Sequence, residues 1–452
     1  MNSRRDFLRV GVRTLSAVGA ASIIGKFGEI NAFAAGGGYQ ALVCVFLNGG
    51  NDGHNMIVPV NTATQNYSAY ATARQSLALA QNTLLNIVTK SNDAYGLNPV
   101  MPEMQTLYQQ GKAAVMANVG MLVVPITNSQ TYNSYPNGSA SIPVNLFSHS
   151  DQATQWQTAA PNGVSSTGWG GRMADLLQTV NSGAQYPSVV TVGSCGPFCT
   201  GAQTLPSTVP SSGPALLGGI GNDTARINGM QQVLSFDNGL QLVQATNGMT
   251  TRGNSQGVLL TGLLAALPPL HTVFPTGNPL AAQMQMVAQI IAVRASLGLT
   301  RQIFFCNLDG FDTHGGQSPT QTPLLQQLSQ AINAFYQATV ELGVDHSVTT
   351  FTASEFGRTV MPNSSAGTDH AWGNHHWVVG GSVVGGDMYG AYPELALGNP
   401  LDVTGRGSLI PTTAVDQYSA TLAQWLGVAP ASLPAILPNI GNFANQKLGF
   451  LG

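Results

Sequence analysis

The sequence predicts an α/β protein, a mostly parallel β-sheet sandwiched by helices, on three observations. Short apolar runs of strand length recur along the chain, amphipathic stretches of helical period separate them, and Gly- and Asp-bearing loops follow several of the runs. The runs predict strands at 41–47, 113–119, 188–192, 303–308, 348–353 and 377–379. Each is mainly apolar, with no charged residue and no strict alternation, the pattern of a strand covered on both faces. Amphipathic stretches at 173–180, 280–297, 324–342 and 415–426 predict the covering helices. Two Gly/Ser/Thr/Asn-rich stretches, 126–144 and 201–221, carry no strong period, and insertions near 126–144 and 201–275 are expected as polar excursions from one domain spanning 35–452. Gly36, Gly37 and Gly38 precede the first strand, so they are not a phosphate-cradling loop.

Composition excludes several classes of function. Of 452 residues only 8% are charged, the net charge is -3 and no basic block follows residue 30, so no electrostatic footprint for nucleic acid exists. With 43% apolar residues in periodic segments, the chain can bury a large core, which excludes global disorder. The first 34 residues read as an export signal of the twin-arginine type: Arg4 and Arg5 before Phe7 and Leu8, a weakly apolar run from 10 to 24, then Ala32-Phe33-Ala34. That run is too short and too rich in Gly and Ala for a membrane span. Cleavage there removes five basic and two acidic residues and leaves a net charge of -6. The expected location is periplasmic or extracellular, with the twin-arginine export machinery as a partner and no stable membrane span after cleavage. In an oxidising compartment Cys195 and Cys199 are the plausible disulfide pair, while Cys44 and Cys306 lie in strand-like runs and read as buried thiols.

The scarce charges sit in particular loops. Asp52 and His54 follow the first strand; Asp309, Asp312 and His314 follow strand 303–308; Glu355 and Arg358 follow strand 348–353; Asp369 and His370 precede strand 377–379. In an open α/β sheet, ligands bind beyond the carboxyl ends of the strands, so these loops are expected to meet. Converging carboxylates stay ionised when a cation neutralises them, and an Asp/Glu/His set without Cys suits Zn, Mn, Mg or Ca, singly or as a pair. The predicted metal ligands are Asp52, Asp312, His314, Glu355, Asp369 and His370, with His375 and His376 as secondary candidates for outer hydrogen bonds. Singly these residues have plain structural roles: Asp52 can cap a turn and Glu355 can pair with Arg358. A further segment, 145–156, reads as a loop entering a helix. There Ser148 or Ser150 can be a nucleophile near helix amides with His149 as acid/base; alternatively Ser150 caps the helix and Asp151 stabilises its first turn.

The segments Leu47-Asn48-Gly49-Gly50-Asn51-Asp52-Gly53, Ser148-His149, Gly310-Phe311-Asp312-Thr313-His314, Ser354-Glu355-Phe356-Gly357-Arg358-Thr359 and Gly367-Thr368-Asp369-His370-Ala371-Trp372-Gly373-Asn374, with the closing 410–427 segment, resemble the twin-arginine-exported bacterial family catalogued as domain of unknown function 1501. That family is grouped with the alkaline phosphatase and sulfatase superfamily. The resemblance implies an alkaline-phosphatase-like fold and a site for two metals. Within it Asp52 looks like the first-strand ligand, Asp312 and His314 like the middle group, and Asp369 and His370 like either the Asp-His dipeptide or the last His segment. Glu355-Phe356 stands where relatives often carry Asp-His, and no Cys-x-Pro-x-Arg segment exists, which disfavours a formylglycine sulfatase. The expected function is metal-dependent hydrolysis of phosphate or sulfate esters, with Ser148 and His149 as catalytic residues and a small ester or anionic glycan as substrate. The alternative is a non-catalytic exported binding or surface-assembly protein that keeps the fold.

Overall fold

The computed structural model describes residues 38–135, 141–163, 165–218, 223–236 and 239–452, so the expected export signal lies outside the described residues. Among the described residues the first element is β1 (Gln40–Leu47), followed by a small antiparallel sheet of β2 (Ile57–Asn61), β3 (Leu85–Val88) and β4 (Ala94–Leu97). The main sheet then collects β5 (Ala113–Gly120), β6 (Val189–Thr191), β7 (Ser207–Thr208), β8 (Arg301–Leu308), β9 (Val348–Ala353), β10 (Asn374–Gly380), β11 (Asp387–Tyr389) and β12 (Thr413–Ala414). Its order is β11-β5-β10-β9-β1-β8-β6-β7, with β12 paired to β5. Every pairing is parallel except the two made by β10, which runs against both β5 and β9.

β1 shows why the strands read as unbroken apolar runs. Ala41, Val43, Val45 and Leu47 enter one core while Leu42, Cys44 and Phe46 enter the other, because successive side chains leave opposite faces. The first core is roofed by the helices Pro102–Gln109, Pro279–Ala292 and Gln317–Glu341. The second is roofed by Trp169–Leu176 and Val415–Leu426, the latter ending on Gly427 at φ 111°. Burying each of these large aliphatic side chains contributes about 1.5–3 kcal/mol.

Helix boundaries differ from expectation in three places, the first being the helix expected over 280–297, which spans Pro279–Ala292 and ends in turns. The helix expected from residue 324 begins at Gln317, with Pro323 inside it, and the one expected over 173–180 spans Trp169–Leu176 before a 3-10 turn at Gln178–Asn181. The region 201–275 carries two helices, Thr224–Ser235 and Gln241–Ala265, which the sequence did not announce. Within Gln241–Ala265 only Gly257 and Leu260 are buried, so the helix has almost no apolar face for a sequence pattern to reveal.

Cys44 and Cys306 are buried thiols, one in each core. Cys195 and Cys199 are also thiols, with sulfur atoms 2.8 Å apart across a 3-10 turn. Protein isolated from an oxidising compartment should therefore alkylate only at Cys44 and Cys306 when denatured without reductant. Labelling of all four cysteines would remove the pair.

Candidate metal centre

Strand direction brings the loops together. Adjacent β9, β1 and β8 are parallel, so the segments after Ala353, Leu47 and Leu308 leave from one edge of the sheet. Antiparallel β10 starts at that same edge, which is why the loop preceding Asn374 joins them. Close backbone approach locks the loops. Gly49 has φ 114°, and a Cβ there would sit 2.3 Å from the Asp312 amide nitrogen; Gly50 has φ 76°, and a Cβ there would sit 2.4 Å from the Phe356 ring. Buried Arg358 laces three loops by donating to Gly49 O, to Gly50 O at 2.9 Å and to Thr368 O at 2.9 Å.

At this edge three imidazoles face one carboxylate oxygen. Asp312 Oδ1 lies 3.4 Å from His149 Nε2, 3.2 Å from His314 Nε2 and 3.5 Å from His370 Nε2, and it accepts from Arg358 Nη2 at 2.5 Å. His314 Nε2 and His370 Nε2 are 2.8 Å apart. One ligand atom each from His149, Asp312 and His370 can be chosen so that all lie within 4.8 Å of one another. On the far side of each ring, Nδ1 meets an oxygen. His149 Nδ1 is 2.9 Å from Glu355 Oε1, His370 Nδ1 is 2.7 Å from Phe147 O, and His314 Nδ1 is 3.3 Å from Asp369 Oδ1. Carbonyls and ionised carboxylates only accept, so Nδ1 carries a proton in each ring, and in the neutral ring Nε2 presents a lone pair.

The electrostatics follow from these contacts. The Glu355 hydrogen bond pushes the His149 pKa up, while burial pulls that of His370 down. Burial alone would raise the Asp312 carboxyl, but the Arg358 hydrogen bond and charge, with the neighbouring imidazoles, outweigh it and hold the pKa below the usual carboxylate value. Asp369 is likewise raised by burial and lowered further by Asn363, Arg406 and His314. Asp312, Glu355 and Asp369 against Arg358 and Arg406 leave one uncompensated negative charge when the imidazoles are neutral.

Of the six residues predicted as ligands, Asp312, His314 and His370 meet with their donor atoms facing inward. Glu355 and Asp369 are present, but each meets its imidazole from the Nδ1 side. Asp52 does not join them. Its carboxylate is buried and accepts from Arg74, from Gln317 Nε2 and from the His54 amide at 3.0 Å, so it caps a turn and neutralises an arginine. Glu355 does not pair with Arg358, whose charge goes to Asp312. His149, expected as a general acid/base, stands with its Nε2 among the inward-facing nitrogens. Ser148, and not Ser150, occupies the N-cap position of the helix His149–Thr158, and its Oγ donates to Asp151 Oδ2 at 2.6 Å. His375 and His376 are buried in the sheet; His375 Nδ1 accepts from the Asn118 amide at 3.1 Å and His376 packs against Trp156 and Tyr418.

Sequence reasoning missed Arg406, which donates to Asp369 Oδ2 at 2.6 Å. The signal was present: an isolated cation between Gly405 and Gly407 in a chain of few charges. It missed Asn363 too, which donates to Asp369 Oδ1 at 3.1 Å.

The residues fit a metal. Two Nε2 lone pairs 2.8 Å apart repel unless a proton or cation lies between them, and His149 Nε2 is buried without a hydrogen-bond partner. A set of three imidazoles and one carboxylate suits Zn2+ or another borderline divalent ion.

No curated protein matches this chain. Among solved structures, the lipoteichoic acid synthase LtaP from Listeria monocytogenes is 7% identical, with a TM-score of 0.34 covering 93% of this chain and 79% of that one. The PsFucS1 sulfatase from Pseudoalteromonas sp. is 9% identical, with a TM-score of 0.34 covering 91% and 72%. A protein in the alkaline phosphatase superfamily from Vibrio parahaemolyticus is 9% identical, with a TM-score of 0.32 covering 87% and 67%. The family described as "Protein of unknown function (DUF1501)" matches residues 39–405, most of the chain, and this protein belongs to that family.

Proposed function

We propose that this protein is an exported metal-dependent hydrolase of phosphate or sulfate esters, centred on His149, Asp312, His314 and His370. The observation that carries the reading is the three Nε2 atoms turned toward one oxygen of Asp312, each with its Nδ1 proton already placed on an acceptor. A divalent ion held there would polarise an ester oxygen and lower the pKa of an attacking hydroxyl. Asp312 supplies the anionic donor and Arg358 fixes its orientation. Asp312 and His314 are about half exposed, so the centre is open to a substrate from solvent. Ser148 is the proposed nucleophile. It begins the helix next to His149, and its hydroxyl proton already points at the Asp151 carboxylate. The motif resemblance supports the ester chemistry, and residues 4–34 support export. Among the described residues no helix is long and apolar enough to cross a membrane.

Protein taken from its native compartment should contain about one divalent ion per chain by elemental analysis, the count a three-histidine-one-carboxylate site holds. Against a panel of phosphate and sulfate esters, His370→Ala and Asp312→Ala should each lower turnover by more than about 100-fold, beyond the effect of losing an outer hydrogen bond. Absence of metal from freshly isolated protein refutes the proposal. Bound metal with no turnover on any ester turns the reading to an exported binding protein.

A further inference from the structure

We infer that Glu355 and Asp369 are positioning residues that stay outside the metal's coordination, each holding one histidine by its Nδ1 proton, and that Arg406 in turn holds Asp369. The inference rests on the metal reading above and assigns these two carboxylates a role different from that of ligands. It follows from which side of the ring each one occupies. The two nitrogens of an imidazole point away from each other, so an oxygen accepting from Nδ1 cannot share an ion with Nε2 of the same ring.

Glu355 is the better anchored. Its side chain is 4% exposed, and Oε1 accepts from the Gly49 amide at 2.8 Å as well as meeting His149 Nδ1 at 2.9 Å. Ser354 Oγ approaches Oε2 at 3.3 Å. A carboxylate pinned by donors from two loops cannot swing round the ring, so it fixes both the tautomer and the direction of His149 Nε2. Asp369 is the looser counterpart. It is 35% exposed and meets His314 Nδ1 at 3.3 Å, with Asn363 Nδ2 on the same oxygen at 3.1 Å and Arg406 Nη1 on the other at 2.6 Å. His370 is held by a backbone carbonyl instead, that of Phe147, whose φ of 71° turns the chain so that its oxygen meets Nδ1 at 2.7 Å. Arg358 differs from these three, because it donates to Asp312 Oδ1 itself, the oxygen the imidazoles face, and so orients that carboxylate from the inner side.

Cobalt(II) titration of the metal-depleted full-length protein separates the roles, because its visible absorption reports the ligand set independently of activity. Wild-type protein should bind Co(II) with the absorption of a four-coordinate nitrogen–oxygen site. Glu355→Ala should weaken binding by about 10–100-fold with the band unmoved, as expected when an outer hydrogen bond is lost. Glu355→Gln, whose amide oxygen still accepts the Nδ1 proton, should recover most of that affinity. Arg406→Ala, at an exposed side chain, should weaken binding by a smaller factor, again with the band unmoved. His149→Ala should both weaken binding and move the band. If Glu355→Gln or Asp369→Asn moves the band as His149→Ala does, the carboxylates are ligands and the inference is overturned. Affinity unchanged in both Glu355→Ala and Arg406→Ala also overturns it. Failure of wild-type protein to take up Co(II) would bring down the underlying metal reading together with this one.

Discussion

Replacing Arg74 with Met should cost the fold about 3–5 kcal/mol and leave the metal content unchanged. Arg74 is fully buried and donates to Asp52, to Asn55 Oδ1 at 3.1 Å, to Thr359 O at 3.1 Å and to Val360 O at 3.0 Å. Its removal leaves Asp52 as a buried charge with only the Gln317 amide and the His54 backbone to solvate it. An uncompensated buried carboxylate is the expensive outcome; removal of both charges is not. The double variant Arg74→Met with Asp52→Leu should therefore recover a large part of the loss, a coupling that denaturant melts of the two single variants and the double variant would measure. Asp52→Asn gives the sharper comparison. If Asp52 were a ligand, as its place after the first strand predicts, that variant would shed metal at little cost in stability. The buried pair predicts lower stability and retained metal.

Asp52 shows where sequence reasoning ends. Its position was legible, since a carboxylate in a glycine-rich loop after a doubly buried strand does arrive at the ligand-bearing edge of the sheet. Its partner was not, because Arg74 lies in a different helix and reaches Asp52 only through the packing of Tyr67–Arg74 beneath the site. Glu355 and Asp369 pose a subtler question. They are in the right cluster, and only the ring face they meet separates an outer hydrogen bond from a ligand, a distinction that spacing along the chain does not carry. His149, by contrast, was recognisable as a functional histidine, but its partners come from loops more than a hundred residues away.

The fold divides along the same line. Strands with side chains in both cores were read from their apolar runs, down to 348–353 and the helix 415–426. β2, β3 and β4 escaped because they are short, carry Pro59 and Gly96, and have exposed positions that break the run. The helices in 224–265 escaped because their Gln-, Asn- and Thr-rich surfaces bury almost nothing. Burial writes a period into the sequence, and an element that buries little leaves none.

The second large effect expected is steep loss of stability on acidification between pH 6.5 and 4.5. Burial, then Arg74, pushes His54 down to about 3; burial, then His375, pushes His376 down to about 3; and burial, then His54, takes His375 well below the usual value, with Asp52 opposing. The contacts agree with this direction: protonating His375 would require its Nδ1 to release the Asn118 amide, and His54 Nδ1 and His376 Nε2 are buried without partners. These groups have depressed folded-state values, so below about 6.5 the unfolded chain takes up protons that the native chain refuses. Their contribution is intact above that pH and is lost as pH falls. Asp416 works in the opposite sense. Burial raises it to about 7 against the ordinary 3.8, with backbone hydrogen bonds and Arg172 opposing, so the native state holds a proton the unfolded state lacks across that window. Stability from Asp416 therefore falls as pH rises toward 7. Near pH 5 three histidine protons oppose one carboxyl proton, a net uptake of about two on unfolding and a slope of about 3 kcal/mol per pH unit. Against a total stability of order 5–15 kcal/mol, such a slope unfolds the protein well above the pKa of ordinary carboxylates. Denaturant melts at pH 7, 6 and 5 measure it directly. His376→Phe, which suits the pocket between Trp156 and Tyr418, should remove about one proton from that uptake and so reduce the slope by about a half. Asp416→Asn should steepen it below pH 6 and raise stability at pH 8 by up to about 4 kcal/mol. A stability that stays flat from pH 7 to 5 in the parent protein would mean that these three histidines take up protons in the native state, and with that the buried neutral network beneath the site could not stand as described.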